Sequence, residues 1–98
     1  MIRHTVMFTP KHATGSSEEK NFLESAKALQ KIATVKKFEV LRQVSPKCSH
    51  RFALSMEFDD EATYRTYNEH PDHVAFVNDR WISEVDSWQE IDYVHYED

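Results

Sequence analysis

One cysteine, one glycine and three prolines are all that this chain of 98 residues has of the residues that staple, hinge or break a backbone. With Cys48 alone, no disulfide can form inside the chain, and the reducing cytoplasm is the expected compartment. Cys48 itself falls in a turn segment and reads as an incidental loop thiol. Gly15 stands by itself, so the chain has no glycine-rich loop to cradle a phosphate and no Rossmann-type fingerprint. Positive charge is scarce too. Twelve Lys and Arg against 17 Asp and Glu give a formal charge of −5, and the basic residues are scattered. A nucleic-acid partner, which wants a basic stripe, is therefore not expected. The longest apolar run, Val74 to Val77, is far too short for a membrane span or a secretion-signal core. Nor does a basic leader stand ahead of Ile2.

What is present is informative in its order. Hydrophobic residues at 40% and charged residues at 30% are the balance of a soluble globular domain, and the length has room for one, over residues 1–98. Ile2, Val6 and Phe8 keep a two-residue period with His4 on the same face, while Arg3, Thr5, Met7 and Thr9 point the other way. That is a strand. After a loop from Pro10 to Gly15, Ser16 with Glu19 three residues on marks a helix start. Phe22, Ala26, Leu29 and Ala33, widened by Leu23 and Ile32, then keep helical spacing and predict a helix from about Ser17 to Ala33.

Lys36 to Val44 predicts a second strand, with Phe38, Val40 and Val44 on one side and Leu41 on the other. Ser45 to Ser49 is a turn. Phe52, Leu54, Met56 and Phe58 alternate with Ala53, Ser55 and Glu57, the clearest strand pattern in the chain. Asp59-Asp60 can cap a second helix that packs through Ala62, Tyr64 and Tyr67 and ends at Pro71. Asp72 is expected to cap a short further helix from His73 to about Ile82, carrying Val74, Phe76, Val77 and Trp81. A last strand is expected from Ser87 to Tyr96, with Trp88, Val94 and Tyr96 on one parity and Ile91 and Tyr93 on the other.

Strand, helix, strand, strand, helix, strand is the split βαβ order. It predicts an α+β, ferredoxin-like βαββαβ fold: a four-stranded antiparallel sheet with its helices on one face. The other face is then bare, yet the last strand has large apolar side chains on both parities and Leu41 stands opposite Phe38 and Val40. Domains this short bury only about two-thirds of their unfolded surface, so a partner would help. A second copy laid face to face would make a dimeric α/β barrel, an isologous homodimer burying roughly 1,200–2,000 Å².

The segment Tyr67-Asn68-Glu69-His70-Pro71-Asp72-His73-Val74-Ala75-Phe76 resembles the Tyr-x-x-His-Pro-x-His-x-x-Phe stretch of the stress-responsive dimeric A/B-barrel family. That family includes the plant polyketide cyclase olivetolic acid cyclase. The opening Ile2-Arg3-His4, the strand Phe52 to Phe58 and the closing Ile91-Asp92-Tyr93 extend the likeness over most of the chain. The resemblance implies a homodimer of ferredoxin-like chains, each with a pocket between sheet and helices for a small hydrophobic molecule. In the cyclase a tyrosine and the second histidine of the stretch carry the reaction; by position they match Tyr67 and His73, and the early histidine and late aspartate match His4 and Asp92.

These four side chains suit cofactor-free cyclase- or lyase-type chemistry. A half-buried histidine can take a proton from an acidic carbon or hydroxyl near neutral pH. A phenol can donate to the carbonyl oxygen that gathers negative charge. A carboxylate can hold an imidazole in one tautomer. Structural readings stand beside these. His73 can buttress a helix start, Tyr67 can be a core aromatic, His4 can be a satisfied core histidine, and Asp92 can serve as its structural partner. A metal is not expected, because Pro71 separates His70 from His73 and local spacing supplies no third ligand. Three functions compete: a small-molecule binding protein or enzyme, a non-catalytic dimer module, and a haem-degrading or antibiotic-type monooxygenase on a related barrel.

Overall fold

The computed structural model describes residues 1–97. In β1 (Ile2–Pro10) burial alternates residue by residue, with His4, Val6 and Phe8 inside. β1 is central: it pairs with β3 (Phe52–Phe58) on one side and β4 (Val85–Tyr93) on the other. β2 (Lys36–Arg42) adds to the outer edge of β3, so the antiparallel sheet has the order β2-β3-β1-β4. This is the ferredoxin-like arrangement the element order predicts.

All helices lie on one face. Phe8, Phe22, Phe58 and Met56 are fully buried between that face and the helices. The Phe8 ring meets Phe22 and Phe52 at 6.0 Å and Trp81 at 4.9 Å, centroid to centroid. α1 (Ser17–Ala26) starts as expected, with the Glu19 N–H donating to Ser16 Oγ at 3.1 Å. It does not run on as an α-helix to Ala33; Lys27–Lys31 forms a 3₁₀ turn and Ile32 is already extended. The tighter turn stacks residues three apart, which buries both Leu29 and Ile32 and leaves Ala33 exposed. Glu19, also buried, is held by Arg51 at 2.8 Å, and the same guanidinium donates to the carbonyls of Pro10 and His12, tying down the loop before α1.

α2 (Glu61–Glu69) opens with a reciprocal cap. The Thr63 N–H donates to Asp60 Oδ1 and the Asp60 N–H to Thr63 Oγ1, and the bonds from Thr63 hold the Asp60 carboxyl below its ordinary range. α3 (Pro71–Phe76) begins two residues earlier than expected, and His70, not Asp72, caps it: His70 Nδ1 accepts the Asp72 N–H at 3.0 Å. Pro71 occupies the first helical position, where a missing N–H costs nothing and its fixed φ suits the helix. The segment continues through a π turn, Val77–Trp81, and a last α-helical turn, Ile82–Glu84, straight into β4.

Both edge strands differ from expectation at their ends. The pairing of β4 with β1 ends at Arg3 and Tyr93, and Val94 and Tyr96 lie exposed beyond it; at its other end β4 reaches back to Val85, opposite Pro10. Arg42 pairs with Phe52, so Val44 likewise falls outside β2 and is exposed. An extra residue bulges from β2 between Lys36 and Glu39, with Lys37 in the left-handed region (φ 50). The helix-free face proves mixed rather than broadly apolar. Trp88 belongs to the helix side, and Met7, Leu41, Ala53, Ile91 and Tyr93 share the free face with Thr5, Ser55 and an Arg3–Glu57 ion pair of 2.5 Å.

Phe8→Ala should cost about 3–5 kcal/mol, the usual loss for a large aromatic deleted from a packed core. Urea unfolding checks this: the midpoint should fall with little change in slope.

Candidate functional site

The register of β1 builds the site. Asp92 lies directly across from His4 on β4, and Met56 across from it on β3. α2 crosses above, and Tyr64 and Tyr67, three residues apart, both face the sheet. The Tyr64 ring stacks on Phe58 at 4.8 Å, which aims its hydroxyl at the His4–Asp92 pair. His4 Nδ1 is 2.6 Å from Asp92 Oδ1 and 2.7 Å from the Tyr64 oxygen, and the Tyr64 hydroxyl donates to Asp92 Oδ2 at 2.9 Å.

This geometry fixes the tautomer. A carboxylate only accepts, so Nδ1 carries the hydrogen and donates, and in the neutral ring the lone pair is on Nε2. His4 is buried, whereas the Asp92 side chain is 42% exposed and lines an outer groove with Arg65 and Tyr93. The imidazole thus has Nδ1 toward an exposed carboxylate, and the residue also lines an inner cavity.

That cavity has a volume of about 580 Å³ and lies between the sheet and the helical segments. Val6, Leu54 and Met56 form its floor. Leu29, Phe76, Val77 and Trp81 come from the helical side, and Trp88 and Glu90 from β4. Tyr67 and His73 complete it, with ring centroids 4.4 Å apart. His73 Nδ1 lies 3.2 Å from the Asn68 carbonyl, which can only accept, so His73 also keeps its lone pair on Nε2. Burial lowers the His73 pKa, opposed by the bond to Asn68, with smaller contributions from His4 and His70 downward and Glu90 upward. The ring is therefore neutral at pH 7. Burial first, and the Glu90 charge second, push the Tyr67 hydroxyl well above its ordinary value, so it stays a donor. Tyr64 is raised likewise, by burial and then by Asp92.

Of the four residues singled out from the sequence, His4, Tyr67 and His73 line one cavity. Asp92 stands behind His4, and its hydrogen bonds go to His4 and Tyr64, while that of His73 goes to the Asn68 carbonyl. Tyr64 and Glu90 were missed. Helical spacing from Tyr67 was the available signal for Tyr64, and counting back by two from Asp92 puts Glu90 and Trp88 on the face of His4. His70 is occupied as a helix cap, and Cys48 lies 3.8 Å from Met7 Sδ on the opposite side of the sheet. Among the described residues no three His, Cys, Asp or Glu side chains gather to hold a metal, and no helix is long and apolar enough to cross a membrane.

A ferredoxin-like sheet with a histidine-walled apolar cavity beneath its helices is the class these observations define. The chain belongs to the stress-responsive A/B barrel domain (Dabb) family, whose model matches residues 2–95. It is similar to a Dabb protein with a ferredoxin-like fold from Mesorhizobium loti, at 60% identity and TM-score 0.95, over 96% of this chain and 95% of that one. A dimeric protein of unknown function from Bacteroides fragilis is 26% identical with TM-score 0.73, over 96% and 95% of the two chains. The hydroxynitrile lyase of Passiflora edulis shares the fold at TM-score 0.84 and 16% identity, over 99% and 94%. No curated protein matches the chain.

Because the folded-state pKa of His73 lies below the 6.5 of the free side chain, the unfolded chain takes up that proton first as pH falls. The stability gained by keeping His73 neutral is full above pH 6.5 and is lost as pH drops through 6.5 toward the folded value. Proton NMR should place the His73 midpoint below 6.5, and His73→Gln should flatten the decline in melting temperature between neutral and mildly acidic pH.

Proposed function

We propose that each chain binds a small, mainly apolar molecule in this cavity and transfers a proton on it without a cofactor. The observation that supports this is the convergence of two imidazoles and one phenol on walls that are otherwise almost wholly apolar. His73 Nε2 takes a proton from an acidic carbon or hydroxyl, and Tyr67 donates to the oxygen on which negative charge collects. His4, steadied by Asp92, is the second proton-transfer group, its imidazolium form stabilised by the carboxylate. This is the equipment of cyclase- or lyase-type steps next to a carbonyl. The fold alone does not choose among chemistries, so the proposal rests on the site.

The same reading has two chains pairing through their helix-free faces. Leu41 and Tyr93 are about half exposed there, beside the partly buried Met7 and Ile91, and the similar protein from Bacteroides fragilis is described as dimeric. Pairing would bury those side chains in a standard-sized interface of roughly 1,200–2,000 Å².

Deuterium exchange next to the carbonyl of 4-phenylbutan-2-one, followed by NMR in D₂O, tests the chemistry. Exchange should run faster than with equimolar free imidazole, and His73→Ala and Tyr67→Phe should each slow it by about 10²-fold or more. Unchanged exchange in variants whose melting temperature has dropped would assign these residues a purely structural role. Sedimentation tests the pairing: the protein should run as two chains at micromolar concentration, and Ile91→Asp should shift it toward one.

A further inference from the structure

Glu90 is the one formally charged side chain on the cavity wall, since neither Lys nor Arg lines it. It faces the helix side because it pairs with Val6 in the β1–β4 register, between Trp88 and Asp92. Its carboxylate forms no ion pair among the described residues. The neighbouring tryptophans form a corner: Trp81 and Trp88 lie 6.0 Å apart with ring planes 73° to each other. Trp88 is half exposed and Glu90 exposed, so both stand on the solvent side of the cavity.

A molecule filling this space strips water from one side of the carboxylate. A neutral ligand leaves that desolvation uncompensated, and an anion adds repulsion. A cation repays it, and the faces of indole rings attract cations as well. We infer, resting on the small-molecule site proposed above, that the cavity selects organic cations: ligands with an apolar body that fills the inner end and an ammonium group seated between Glu90 and the Trp81–Trp88 corner. The effect of Glu90 on the Tyr67 hydroxyl agrees, since it places the negative potential inside the cavity.

Three probes on one skeleton test this: 3-phenylpropan-1-amine, 3-phenylpropan-1-ol and 3-phenylpropanoate, titrated at pH 7 by calorimetry and by the emission of the chain's two tryptophans. The amine should bind about fivefold to tenfold tighter than the alcohol, and the acid weakest. Glu90→Gln should bring the amine-to-alcohol ratio to about one, and Trp88→Leu should weaken the amine more than the alcohol. Equal affinity of amine and alcohol in the unaltered protein, or a preference that survives Glu90→Gln, overturns the cation selectivity while leaving the cavity reading intact. Failure of all three probes to bind overturns the cavity reading itself.

Discussion

An imidazole buried in a central strand has to find hydrogen-bond partners, and the partners of His4 come from distant parts of the chain. Asp92 arrives with the last strand and Tyr64 with the second helix, so a single polar requirement ties three elements together at one point. Left unpaired, a ring this deeply buried would cost about 1–3 kcal/mol. The cavity depends on the same arrangement. His4, with Nδ1 committed to the carboxylate, lines the apolar cavity, and Tyr67, one helical turn beyond Tyr64, is carried over the same space.

Most of the fold was legible because its elements are locally consistent. The alternation in Phe52 to Phe58, the Ser16 cap and the stripe from Phe22 to Leu29 each point to the element that forms. The ends were less legible. Val94 and Tyr96 continue an apolar pattern but lie beyond Tyr93, the last residue of β4 to pair with β1, and pairing is a property of two segments rather than one. The start of α3 depended on whether Asp72 or His70 supplied the cap, and Pro71 decided for His70 by occupying the first helical position. The turn from α to 3₁₀ geometry after Ala26 left no mark on periodicity, because Leu29 and Ile32 satisfy either spacing.

The site was legible by motif and only partly by physics. His4, Tyr67 and His73 do converge, but Asp92 serves His4 alone, a division that needs the strand register to see. Glu90 stayed hidden for a related reason. In the sequence it is one acid among many near an acidic end, and only its place on the inner face of β4 sets it apart from Asp86 or Glu97. That placement gives this cavity a character of its own within a fold that hosts many chemistries.

The alternation of β4 from Ser87 to Tyr93, beyond the irregularity at Asp86, has a consequence for how this protein can change. Over that stretch odd and even positions serve opposite sides of the sheet, with Trp88, Glu90 and Asp92 toward the helices and Gln89, Ile91 and Tyr93 away from them. Inserting or deleting one residue would exchange the two sets wholesale, emptying the cavity wall and the outer surface in the same event. Descendants of this chain can therefore vary in length at the connection between β2 and β3 and beyond Tyr93, but the stretch from Ser87 to Tyr93 must evolve by substitution alone.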